Sequence, residues 1–137
     1  MTIETLTNQL IELYDKVSSW EHSVVKDSGL SPAQMHTIEV IGHRKNLRMK
    51  ELAEKLGVTT GTLTIGVDNL EKLGLVARKP HTTDRRSFFV VLTTEGKRIF
   101  AEHHRFHEDF TREISVELDN HEVEALCGLL GKVLDKM

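Results

Sequence analysis

Residues 47–92 limit the fold more than any other stretch. They pass from two short helical patterns, through a polar and basic turn, into an extended apolar run. "LRMKELAEKLGVTTGTLTIGVDNLEKLG" reads as a helix over about 48–56 that stops at Gly57. A second helix is capped by Thr59 or Thr60 and runs to about Lys72, before Gly74. Ala53, Gly57 and Leu63 have the spacing that a helix-turn-helix needs: a small residue for close approach, a glycine for the turn, and an apolar residue to close the core. "LVARKP" and "SFFVVL" follow, rich in β-branched and aromatic residues and joined by the polar "HTTDRR", so they read as a strand pair. A helix-turn-helix followed at once by such a hairpin is a winged helix.

Charge is distributed to match. Residues 44–98 hold twelve Lys or Arg against six Asp or Glu, a balance of +6; the remainder holds six against fifteen, −9, and the whole chain comes to −3. A basic middle inside an acidic chain points to a polyanion as partner. The hairpin concentrates Arg78, Lys79, Arg85 and Arg86 against the lone acid Asp84. Charged tips bury nothing, so packing does not account for them.

The flanks are helical. Ile3, Leu6, Leu10, Leu13, Val17, Trp20 and Val24 step by three and four, a heptad seam expected to pack against another helix along its length. In "GLSP", Gly29 suits the end of that helix, Ser31 caps the next and Pro32 fits its first turn, with the second helix running to about Gly42. Thr94 is the expected cap of a long helix over about 95–117, and Asp119 or Asn120 that of a last one over about 121–136. The fold class is therefore mainly α with a small β-hairpin wing. A chain of 137 residues is one domain with a core, too short for two independent ones.

No apolar run approaches the ~18 residues of a membrane span, and "MTIETLTNQL" lacks the pattern of a secretory signal. The single cysteine, Cys127, excludes an internal disulfide framework, fits a reducing cytoplasm, and among Leu126, Leu129 and Leu130 reads as buried. Enzyme signatures are missing: the chain has no Gly-rich phosphate loop, no nucleophile elbow and no His-Glu-x-x-His run, and "HHRFHED" lacks the glutamate that a zinc protease places between its ligands. A winged helix used only for protein contacts is the rival reading.

"DRRSFFVVLTTEG" and "LAEKLGVTTGTLTIGVDNLEKLGLV" resemble the wing and the helix-turn-helix of MarR-type transcriptional regulators, and the resemblance spans essentially the whole chain. It implies a homodimer, with helices in residues 1–30 and 95–137 forming the dimer interface and residues 31–94 forming the DNA-binding lobe. It also implies a palindromic double-stranded operator, usually bound as a repressor, with half-sites about one helical turn apart. Matched by position, Thr59, Thr60, Thr62, Thr64 and Asn69 would face the major groove. Arg86, with Arg85, would enter the minor groove while Asp84 orients the tip, and Arg48 and Lys50 would touch phosphates.

Three of the eight histidines cluster in "AEHHRFHEDF". His103 and His107, four apart on a helix, share a face at a spacing used for two ligands of one zinc ion. The zinc-responsive branch of the MarR family resembles this stretch, which implies zinc held by Glu21, His36, His103 and His107, with His22 competing for the role of Glu21. The fatty-acid-synthesis repressors resemble "MHTIEVIG" and "RFHEDF", which implies an acylated carrier or small apolar effector instead. Either effector would act in a cleft between dimer and DNA lobes, shifting operator affinity only by preferring one spacing of the recognition helices. Histidines that merely hydrogen-bond within the fold are the third alternative.

Overall fold

The computed structural model describes residues 2–81, 83 and 87–137. In chain order these form α1 (Thr2–Val25), a single 3-10 turn (Lys26–Ser28), α2 (Pro32–His43), β1 (Leu47–Arg48), α3 (Met49–Leu56), α4 (Thr60–Lys72), β2 (Val76–Pro80), β3 (Phe88–Leu92), α5 (Thr94–Ile114) and α6 (Asn120–Leu134). Two compact units result, Met1–Ala101 and Glu102–Met137, with the division falling inside α5.

Local chemistry accounts for most helix ends. Ser31 and Gln34 form a capping box: the Gln34 amide donates to Ser31 Oγ at 3.1 Å, and the Ser31 amide donates to Gln34 Oε1 at 2.9 Å. Pro32 opens α2 at a position where its missing N–H costs nothing. The α3–α4 turn is made at Gly57, whose φ of 68° lies in the left-handed region that glycine enters without strain. Thr59 then caps α4, accepting from the Thr62 amide at 3.1 Å.

The expected two-stranded hairpin is part of a three-stranded antiparallel sheet of order β1-β3-β2. Leu47 pairs with Val90 and Arg48 with Phe89, while Val76 through Pro80 pair with Leu92 through Phe88. A two-residue strand carries no period of its own, and its existence depends on the edge that β3 offers. Beneath the sheet, Val90 joins Ile38, Leu52, Val67 and Leu70 in a core whose members are almost completely buried. Ala53 and Leu63 belong to the same core, as their spacing requires.

A second correction concerns the start of α5. Its cap is Thr93 rather than Thr94: Thr93 Oγ1 accepts from the Gly96 amide at 3.1 Å and donates to the Gly74 carbonyl at 2.6 Å. The Thr93 amide also donates to the Leu75 carbonyl at 3.0 Å. Gly96 is the residue that permits this closeness, because a Cβ there would run into the Leu75 carbonyl oxygen. "LTTEG" thus ties the first turn of α5 to the beginning of β2.

In the unit Glu102–Met137, Asp119 caps α6, accepting from the Glu122 amide at 2.8 Å. None of the residues of α6 is buried. Cys127 is therefore exposed, contrary to the burial expected from its leucine neighbours, and Leu126, Leu129 and Leu130 are exposed with it. In the other unit, Ile3, Leu6, Leu10 and Leu13 of the α1 seam are exposed too. Among the described residues no helix is long and apolar enough to cross a membrane.

Candidate nucleic-acid interface

Helix α4 is anchored by one face. Leu63, Val67 and Leu70 are buried, so the positions between them must point outward. Thr59, Thr60, Thr62, Thr64 and Asn69 are all exposed. Their hydroxyls are not idle. Thr59 Oγ1 lies 3.1 Å from Thr62 Oγ1, and Thr64 Oγ1 donates to the Thr60 carbonyl at 2.8 Å. These local bonds engage the hydroxyl protons of Thr59 and Thr64.

Ile65 was not anticipated. It is 65% exposed on the outward face, an apolar side chain suited to a thymine methyl. Beside it the helix is thin. A Cβ at Gly66 would meet nothing within 4 Å, and one at Gly61 would meet only Thr59 Oγ1 at 3.9 Å.

The cations divide into committed and open groups. Arg78, expected among the DNA contacts, places one guanidinium nitrogen 2.7 Å from Asp68 Oδ1 and the other 2.6 Å from Glu71 Oε1. It is a strut from β2 to α4, because its fork geometry matches two carboxylates on consecutive turns. Arg48 donates to His81 Nε2 at 2.7 Å, and its own amide is held by Glu51 Oε1 at 3.3 Å. A guanidinium can only donate, so Nε2 of His81 accepts from Arg48, while Nδ1 lies 3.2 Å from the Thr83 amide nitrogen and 3.1 Å from Thr83 Oγ1. His81 also lies against Phe89, with ring centroids 4.9 Å apart. It therefore couples the start of α3 to the base of the wing, a role the sequence offered only as one more polar turn residue. Lys50 and Lys79 are exposed. Asp84, Arg85 and Arg86 lie outside the described residues.

The residues expected to hold zinc are distributed as follows. In the unit Met1–Ala101, the residue beside Glu21 is Glu39, with carboxylate oxygens within 4.8 Å. His36 is exposed and instead lines a groove of about 190 Å3 that also contains Leu56, Val58 and Thr62. His22 donates from Nδ1 to the Ser18 carbonyl at 2.8 Å, within its own helix. Burial raises the Glu39 carboxyl to about 7, helped by the negative charge of Glu21 and their hydrogen bond. The signal for Glu39 was present as a lone acid in the apolar run "TIEVIG". In the unit Glu102–Met137, His103 and His107 meet edge to face with ring centroids 4.8 Å apart, and His103 is buried. His104 turns away, its Nε2 lying 3.4 Å from Glu108 Oε1. The i, i+4 imidazole pair has the donor type and spacing of a metal chelate.

Comparison with known proteins places this geometry. The MarR family model matches residues 28–87. The chain is 27% identical over 136 residues to the uncharacterized HTH-type transcriptional regulator YcgE of Bacillus subtilis, covering 96% of this chain and 88% of that one. The crystal structure of Streptococcus pneumoniae FabT in complex with DNA superposes with a TM-score of 0.83 at 26% identity, covering 97% of this chain and 95% of that one. Wild-type MarR of E. coli, in its apo form, superposes with a TM-score of 0.74 at 30% identity, covering 93% and 96%.

Proposed function

The chain belongs to the MarR family of transcriptional regulators, and from that premise we propose that it is a homodimeric repressor of a palindromic operator. The observation that carries the reading is α4: a helix fixed to the core by Leu63, Val67 and Leu70, with an outward face of threonines, Asn69 and Ile65 beside a basic wing. Such a helix offers hydrogen-bonding and methyl groups to base edges, while the cations around it meet phosphates. The solved FabT relative is itself in complex with DNA. Exposed apolar residues on α1 and, separately, on α6 supply surface for a second copy, each half-exposed leucine contributing on the order of 1 kcal/mol when covered.

Fluorescence anisotropy with the gene's own upstream DNA tests the reading. Two chains should bind per site, and log Kd should rise steeply with log salt. Binding unaffected by neutralising Arg85 and Arg86 would overturn it in favour of a winged helix for protein contacts.

A second reading concerns the effector. We propose zinc, on the strength of the His103–His107 pair. Operator binding in micromolar zinc should be tighter than in chelator, and the His103→Ala, His107→Ala double variant should abolish the difference. Equal binding in both buffers transfers the role to an acylated carrier or a small apolar ligand.

A further inference from the structure

A groove of about 550 Å3 lies between the end of α2, strands β2 and β3 and the first turns of α5, wholly within the unit Met1–Ala101. Its volume falls in the range of about 300–1,000 Å3 usual for small-molecule sites. Its floor is apolar: Ile41, Leu92 and the ring of Phe100. Gly42 makes that floor possible, since a Cβ there would occupy the space of the Phe100 ring, which lies directly on the α2 backbone. The edge of His43 meets the same ring, with centroids 5.0 Å apart.

The rim has one sign of charge. Arg44, Lys45, Lys79 and Lys97 all line the groove, and none has an ion-pair partner among the described residues. Asn46, in the left-handed region at φ 58°, turns the loop carrying Arg44 and Lys45 along the groove. Three arginines outside the groove are committed instead: Arg78 to two acids, Arg98 to Glu95, and Arg112 to Glu108 and Asp109. Four open cations converging on a concave apolar floor set up a field that favours an anion. A DNA backbone would satisfy the charges but leave the floor uncovered. An anionic head on an aliphatic body satisfies both.

We propose that this groove is a binding site for an anionic amphiphile, its phosphate or carboxylate head among Lys45, Lys97 and their neighbours and its chain on Phe100. The site shares no lining residue with α4 or with the Glu21–Glu39 pair, and its existence does not depend on operator binding.

The test titrates octyl phosphate into the full chain by calorimetry, with octanol and inorganic phosphate as controls for tail and head. Octyl phosphate should bind about tenfold more tightly than either control and weaken with added salt. A Lys45→Gln, Lys97→Gln variant should lose about tenfold in octyl phosphate affinity while its octanol affinity stays unchanged. Amide shifts at Gly42, Asn46 and Leu92 should report the occupied groove. Equal affinity for octanol, or for inorganic phosphate, overturns the proposal, as does an unaffected double variant. Weakened operator binding by that variant in ligand-free solution also overturns it, assigning the lysines to DNA. Failure of wild-type chain to bind its operator is read in a separate titration and leaves the groove measurement standing.

Discussion

Replacing Glu39 by Gln should make the protein more stable at alkaline pH and leave it unchanged in acid. Glu39 is partly buried on α2 beside Glu21, and its carboxyl is held at about 7 instead of 4.5. Between those values the folded chain keeps a proton that the unfolded chain has released. Stability therefore falls as pH rises through the window: the contribution is complete below about 4.5 and lost above about 7. At about 1.4 kcal/mol per pH unit, the gap corresponds to about 3 kcal/mol for a fully enclosed carboxyl. Glu39 is in partial contact with solvent, and screening reduces this to about 1–2 kcal/mol. Glutamine keeps the shape and a donor toward Glu21 but cannot ionise. Urea unfolding followed by circular dichroism, at fixed protein concentration and in chelator, should give matching midpoints at pH 5 and a more stable variant at pH 8. Curves for the two proteins that stay parallel from pH 5 to 8 would refute the assignment of a raised carboxyl.

Three further outcomes follow from the packing. Gly96→Ala drives a Cβ into the Leu75 carbonyl and should cost about 1–3 kcal/mol, seen as a lowered Tm. Thr93→Val removes both the cap of α5 and the bond to Gly74 and should cost about 1–2 kcal/mol; an unchanged urea midpoint would contradict the double role given to this hydroxyl. Arg78→Gln loses two carboxylate partners, for about 1 kcal/mol of stability. It should weaken operator binding without altering its salt slope, whereas a slope reduced by about one would identify Arg78 as a phosphate contact.

Features set by neighbours in sequence were legible. Ser31 with Pro32, Gly57, Thr59 and Asp119 mark helix ends because capping is decided within three or four residues. Features set by neighbours in space were not. Leu47 and Arg48 form a strand only because β3 passes alongside. Thr93 and Thr94 are equivalent as a dipeptide, and the Gly74 carbonyl decides between them. At the interface, Ile65 reads as core by composition, and only the three buried positions of α4 turn it outward. His36 and Glu39 lie one turn apart on α2, and periodicity does not say which of them meets α1. The placement of Glu39 beside Glu21 is a tertiary fact. Cys127 shows the same limit: three leucine neighbours on a helix do not bury a residue unless something covers them.

Gly61 and Gly66 bear on the compliance of the reading helix. Neither has a neighbour that a methyl group would disturb, so folding does not require glycine at either place. Each nevertheless costs roughly 1 kcal/mol of helix propensity relative to alanine. Alanine at both positions would stiffen α4 without a clash. Glycine at these two positions leaves the backbone of α4 more conformational freedom than alanine would. A surface of this kind can bend by small amounts to follow a groove whose width varies with sequence, while Leu63, Val67 and Leu70 keep its register fixed.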